Sequence, residues 1–360
     1  MHPILLHLVV PAGLGKLVAL AVLVIGVVGR AAARLREARR ADEPLSVVAA
    51  FRADWMTSAA LAGAALVLWR AGVLDRELRL PLHSYGVLIA AAFMAGLWLA
   101  QREARRRGQD AERLADLAFW VLVAALVGSR VYFILVNRGE FFGAGSWLVA
   151  TPIGRIPRVL AFWEGGLVFY GGFIGATLAA LLYMRRHRLP FLAYADTIIP
   201  SVAFGHFLGR LGCFFAGCCW GGLAPGDLPW AARFPPESMA YQTFLDRPDP
   251  QSYLAPGGAT TLPLHPTQLY EALGELALFV LLVFLVRPRK RFHGQVLAIW
   301  LLAYAVLRTV VELFRGDLER GVYLGLGAGQ WTSFLIFSVG VAVWVSARKS
   351  RPALAAAGAR

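Results

Sequence analysis

Residues 295–315, QVLAIWLLAYAVLRTVVELFR, form an apolar run interrupted by Tyr304, Arg308, Glu312 and Arg315. Those four positions are spaced four, four and three residues apart, which places them on one face of an α-helix. Facing lipid, each charge costs roughly 2.5–3.5 kcal/mol on insertion scales, so the face points into a bundle interior or a polar cavity. Two readings remain: a functional site within the membrane, or a buried Arg308/Glu312 pair that only fixes helix packing. Either way the segment is long enough to span a bilayer.

The rest of the chain extends the same pattern. Hydrophobic residues make up 58% of the sequence and charged residues only 16%, a balance too apolar for a soluble domain. Bilayer-length apolar stretches occur at about residues 7–30, 56–74, 83–101, 115–136, 164–184, 195–214, 268–286, 294–314 and 330–347. The first two are the weakest, since Lys16 interrupts one and Arg52 and Asp54 crowd the other. The expected fold is all-α, a polytopic integral membrane helix bundle. Its expected parts are an N-terminal pair of spans of unknown role (1–80), a seven-span core (81–348) and a short tail (349–360).

A net charge of +14 could suggest nucleic acid, but the cations alternate along the chain. Arg30, Arg34, Arg36, Arg39, Arg40 and Arg52 share one loop, and Arg102, Arg105, Arg106, Arg107 and Arg113 the next but one. Arg185, Arg186 and Arg188, then Arg287, Arg289, Lys290 and Arg291, then Arg348, Lys349 and Arg351 continue the series. Basic residues in every second connection are a topology signal: N-terminus outside, C-terminus inside, and loops 137–163, 215–266 and 316–329 on the outer face. No nucleic-acid partner is implied.

The first apolar segment lacks a positively charged leader, so it reads as a retained anchor and not a cleaved signal. Cys213, Cys218 and Cys219 are too few for a disulfide framework and lack zinc-like spacing, so they read as small residues at a helix end, with an extracytoplasmic disulfide as the alternative. Metal binding is a minority reading. No phosphate-cradling GxxxxGK[ST] and no dinucleotide fingerprint occur, so no cofactor is expected and a substrate must carry its own energy. The halves show no repeat of the kind on which many transporters are built.

Four stretches place polar groups where burial is expensive. Tyr85 opens the third span, and Arg130 lies inside the fourth. Residues 164–179, EGGLVFYGGFIGATLA, concentrate glycines including Gly171 and Gly172, which serve either close helix packing or exposure of backbone amides to a headgroup. In GHFLGRLGCFFAGCCWGG, residues 205–222, Arg210 stands between Gly209 and Gly212. An arginine freed of bulky neighbours can hold phosphate with two parallel hydrogen bonds, whereas one that merely snorkels needs no glycines. Beyond it, LHPTQLYEAL reads as a helix start at Pro266, with His265, Gln268 and Glu271 able to share a face at the membrane surface.

Together HPTQLYEA, DLPWAARFP, GRLG at 209–212, GGLVFYGG and R-x-x-x-E-x-x-R-x-D from Arg308 to Asp317 resemble the prolipoprotein diacylglyceryl transferase family. The similarity runs from about Tyr85 to Trp344, and residues 1–80 look like an added pair of spans. The resemblance implies a bacterial inner-membrane enzyme whose partners are phosphatidylglycerol and prolipoproteins. It would transfer the diacylglyceryl group to the lipobox cysteine thiol in the signal peptide and release glycerol phosphate. It implies that Arg210 binds phosphatidylglycerol and that Arg308 is a second essential arginine. Glu312 and Arg315 match its partners, Tyr304 the tyrosine one turn earlier, Tyr85 the tyrosine of the first core span and Gly221 the glycine ending the signature.

The chain departs from that pattern at three positions. Tyr170 replaces a histidine proposed as the base, while Cys213 and Cys218 replace an asparagine and an acidic residue. Tyrosine is a poor base at neutral pH, so His206, four residues before Arg210, is the candidate to supply an imidazole; a hydrogen-bonded structural histidine is the alternative. Two other functions stay open: a related phospholipid-dependent transferase with a different acceptor, and a non-catalytic protein that binds or transports membrane lipid.

Overall fold

The computed structural model describes residues 4–10, 24, 63, 78–142, 148–151, 154–161, 166, 168–316, 322–323 and 326–349. Strand β1 (Ile4–Val10) pairs with β2 (Leu78–His83), so residues 7–10 are extended where a span was expected. Nearly all of the rest of the two N-terminal spans lies outside the described residues. The helices that follow are α1 (Ser84–Arg106), α2 (Ala111–Val136), the short α3 (Arg138–Phe142), α4 (Phe169–Arg186) and α5 (Phe191–Ala216). After these come α6 (Met239–Leu245), α7 (Thr267–Val280), α8 (Gln295–Glu312) and α9 (Ala328–Lys349). A π-helical turn, Leu281–Val286, prolongs α7.

Among the described residues six helices are long and apolar enough to cross a membrane, and the protein is a multi-pass membrane helix bundle. They match six of the expected spans. Within the expected span at 164–184, helix α4 starts at Phe169, and its last turn carries Arg185 and Arg186. The large hydrophobic side chains left exposed on these helices, among them Phe119, Trp120, Leu126 and Phe334, suit contact with lipid.

The chain divides into two compact units, one comprising residues 1–5, 82–129 and 169–360, the other residues 6–81 and 130–168. In the first, α5 packs against α1, α7 and α8, and α8 packs on α9. The connections after α1, α4 and α7 come together at one end of this unit, where Arg287 pairs with Glu103 and Arg113 meets His187. There Asp196 of α5, fully buried, accepts hydrogen bonds from the backbone N–H groups of Gly294 (2.7 Å) and Leu297 (3.0 Å), at the start of α8. A carboxylate at a helix N-terminus satisfies donors that the helix leaves unpaired, and so fixes α8 on α5. Lys290 Nζ closes the group at 2.7 Å from Asp196, although burial pushes its ammonium below the usual lysine range against the pull of that carboxylate.

At Gly171 and Gly172 packing, not amide exposure, accounts for the glycines. A Cβ on Gly128 of α2 would strike the Gly171 carbonyl, and one on Gly172 would lie 2.6 Å from Ser129 Oγ. Both glycines are buried, so their α-carbon faces meet α2 and not a headgroup.

The segment 215–266 is a folded cap. Trp220, Ala232, Phe234, Ala240, Phe244 and Leu264 form its core, and Phe244 stacks on Tyr253 at 4.6 Å. In the second unit β3 (Leu148–Thr151) and β4 (Gly154–Pro157) make a hairpin. Arg130 lies in that unit and donates to the carbonyls of Arg158 (2.8 Å), Ala161 (3.0 Å) and Val159 (3.1 Å). Arg130, expected to bind substrate, thus uses its guanidinium to hold the backbone after the hairpin.

Candidate functional site

Three helices converge on one carboxylate. Pro266 precedes the first turn of α7, and four residues into that helix Glu271 is wholly buried. Arg210, on the second-last turn of α5, reaches it with Nη2 at 2.9 Å from Oε1. From α8, Arg308 Nη1 lies 3.8 Å from Glu271 Oε2, and the Tyr304 hydroxyl donates to Oε1 at 3.3 Å. Arg308 Nη2 pairs with Glu312 Oε2 at 2.7 Å, one turn on. The stripe Tyr304, Arg308, Glu312 therefore faces inward, as its energetics require.

Arg315 does not continue that stripe. Helix α8 ends at Glu312, and Arg315 instead forms a β-bridge with Gly221. Gly221 is the crossing point of three chain segments: its N–H donates to the His265 carbonyl at 2.9 Å, and Gly222 N–H donates to that of Phe314. A Cβ on Gly221 would lie 2.6 Å from both the His265 and the Phe314 carbonyl oxygens. The missing side chain thus ties the ends of α5, α7 and α8 together beside the arginines.

His206 stands one turn before Arg210 and is fully engaged. Its Nδ1 lies 2.7 Å from Glu275 Oε1, and its Nε2 accepts from Arg210 Nε at 3.2 Å. Since a guanidinium N–H can only donate, Nε2 is the accepting nitrogen and Nδ1 is left to face the Glu275 carboxylate. His206 consequently orients Arg210, and the lone pair that a base would use is already occupied. Trp300 stacks on Tyr304 (5.5 Å, 11°) and points its indole N–H toward Glu275 Oε2 at 3.4 Å. Glu275 and Trp300 escaped the sequence reading. Glu275 lies one turn after Glu271, and that spacing was the available signal.

The remaining expected residues divide between the site and its frame. Tyr85 packs over Gly212, where a Cβ would come 3.2 Å from its ring, so it adjoins Cys213. Gln268 donates to the Cys218 carbonyl at 2.7 Å, and Thr267, also missed, donates to that of Cys219 at 2.9 Å. His265 turns away from Gln268 and Glu271, with Nδ1 3.1 Å from the Tyr270 hydroxyl and its ring against Phe314. It lines an apolar groove of about 450 Å³ with Trp230, Tyr270, Leu307, Val310 and Phe314. Tyr170 is half exposed, touches Phe169, and makes no hydrogen bond among the described residues. The Cys218 thiol points back to the Cys213 carbonyl at 3.6 Å, so the three cysteines close on one another at the end of α5.

Chemically, the site is a set of directed donors rather than a positive field. Two arginines, Arg210 and Arg308, stand among three glutamates, Glu271, Glu275 and Glu312. Arg308 Nη1 is buried and has no hydrogen-bond acceptor among the described residues. Such a group is expensive to leave unmatched and is suited to the oxygen of an anionic ligand.

Residues 74–346 match the family described as prolipoprotein diacylglyceryl transferase. The chain belongs to that family. It is 35% identical over 239 residues to the phosphatidylglycerol–prolipoprotein diacylglyceryl transferase of Thermosynechococcus vestitus, covering 66% of this chain and 79% of the relative. The Erwinia tasmaniensis enzyme of the same name is 32% identical over 276 residues, 75% of this chain and 90% of its own. That of Synechococcus elongatus is 33% identical over 274 residues, 74% and 84% respectively. The family match begins just ahead of α1 and ends within α9, so it takes in every helix that builds the arginine site.

Proposed function

We propose that this transferase moves the diacylglyceryl group of phosphatidylglycerol to the lipobox cysteine of a prolipoprotein. The thiolate of the acceptor attacks the glyceryl carbon, the bond from that carbon to the phosphate oxygen breaks, and glycerol phosphate leaves with the electron pair. Negative charge accumulates on the departing phosphate. Preorganised N–H donors in a water-poor site stabilise such charge more than they stabilise the ground state.

The observation that carries this reading is the placement of Arg210 and Arg308, from different helices, on either side of Glu271. Glu271, which also accepts from Tyr304, stands between the two guanidiniums, and His206 backed by Glu275 fixes the turn of Arg210. Arg308 Nη1, 3.8 Å from Glu271 Oε2, makes no hydrogen bond among the described residues and so has a donor for a phosphate oxygen. Neither a nucleotide nor any other energy source enters, because the phosphoester itself is the activated bond. The adjoining apolar groove along α8 suits an acyl chain.

The alternation of basic loops supports a bacterial inner-membrane location, with the N-terminus periplasmic, the C-terminus cytoplasmic and the 215–266 cap on the periplasmic side. Residues 1–80 are proposed as an added anchor, residues 81–348 as the catalytic core and 349–360 as a cytoplasmic tail. The replacements at Cys213 and Cys218 favour, as a second reading, a related transferase with a different acceptor. Complementation of a bacterium depleted of its own transferase separates the two. Rescue by the wild type but not by Arg210→Ala supports the lipobox cysteine as acceptor, and failure of an inserted wild-type protein to rescue favours the second.

A further inference from the structure

The reaction leaves one cluster of chemically active groups without a task. Cys213 lies in the last turn of α5, Gly217 turns the chain in the left-handed conformation (φ 68°), and Cys218 and Cys219 follow. All three are free thiols, and their sulfurs lie within 4.8 Å of one another.

This convergence is built in several ways. Cys219 itself adopts φ 59°, a left-handed conformation that a residue with a Cβ takes only when its surroundings impose it. Both cysteine carbonyls are fastened to the start of α7, Cys218 by Gln268 at 2.7 Å and Cys219 by Thr267 at 2.9 Å. The Cys218 N–H donates back to the Cys213 carbonyl at 3.0 Å. A helix end that needed only small residues would require neither the strained turn nor the two side-chain clamps. A disulfide would use two sulfurs and leave the third unexplained.

Three convergent sulfurs are the donor set of a thiophilic cation. At a zinc–sulfur distance of about 2.3 Å, tetrahedral ligands stand about 3.8 Å apart, close to the spacing of this cluster, whose sulfurs all lie within 4.8 Å of one another. Zinc with three thiolates carries a net negative charge, and Arg210 and Arg315 are the neighbouring cations. We infer that Cys213, Cys218 and Cys219 form a three-thiolate site for zinc or a similar closed-shell thiophilic metal ion, its fourth position open to an outside ligand. Binding releases the thiol protons and changes no oxidation state. Fastening Cys213 to the Cys218–Cys219 turn also locks the last turns of α5, three residues from Arg210.

The test uses the full-length protein, purified in detergent under reducing conditions and reconstituted with Zn²⁺ alone. Expected are one tightly held zinc per chain and three thiols protected together from alkylation. Cobalt(II) in its place should give thiolate-to-metal charge-transfer absorption. Cys213→Ser, Cys218→Ser and Cys219→Ser, each checked for a monodisperse elution profile, should weaken binding more than the ~10–100-fold typical of losing an outer partner. Equal alkylation rates with and without zinc, or a disulfide joining two of the three in protein isolated without reductant, would overturn the inference. These readouts do not involve turnover, so they stand or fall separately from the transfer reaction.

Discussion

Arg210 on α5 and Glu271 on α7 meet at 2.9 Å, and the same carboxylate faces Arg308 on α8 at 3.8 Å. Glu271 is therefore the keystone between two guanidiniums that would otherwise repel across a buried gap. Removing it should be worse than neutralising it. Glu271→Ala is expected to cost about 3–5 kcal/mol of stability, the range for breaking a buried ion pair from one side. Glu271→Gln, which keeps the shape and one acceptor oxygen, should cost less while still impairing turnover. Thermal unfolding in detergent, set beside turnover of the same preparations, gives both orders.

His206 should behave as a positioning residue. Because its Nε2 already accepts from Arg210, His206→Ala lets that guanidinium rotate, and a misplacement of about 1 Å at a reacting group costs about 10²-fold in rate. The pH profile of the remaining activity should keep its shape. Loss of one limb of that profile would instead make His206 the base.

Gly221 tests the crossing that joins the three helix ends. A methyl group there meets two backbone carbonyl oxygens, which cannot swing aside as a side chain could. Gly221→Ala is expected to destabilise by about 1–3 kcal/mol, as overpacking does, and to reduce activity through Arg315, its bridge partner. Wild-type melting behaviour in that variant would count against the crossing.

Arg130 should matter to folding and not to substrate affinity. Its three carbonyl bonds need the forked guanidinium, so Arg130→Lys should lose about 1–3 kcal/mol. Detergent unfolding should report the loss, with an unchanged KM for phosphatidylglycerol. A raised KM with unaltered stability would return Arg130 to the binding site.

These outcomes follow from which features a linear sequence can express. The inward stripe on α8 was readable because charge in an apolar helix has few places to go, and its spacing names its face. Arg210 was readable through its flanking glycines. Arg315 was misplaced on the same helix because nothing before it breaks helical periodicity; the helix ends where Gly221 takes up the backbone pairing. Glu275 was overlooked because its partners, His206 and Trp300, come from two other helices. Spacing alone could not bring Cys213 to Cys218 and Cys219, since that depends on two successive left-handed turns, at Gly217 and Cys219.

The most direct test is the release of glycerol phosphate from phosphatidylglycerol by purified protein given a lipobox peptide. Wild-type protein should release it only when the peptide carries its cysteine. Arg210→Ala and Arg308→Ala should each fall by at least about 10²–10³-fold, the loss seen when one preorganised donor is removed from a developing anion. Release that persists near wild-type rates in either variant would contradict shared stabilisation of the leaving phosphate by the two arginines.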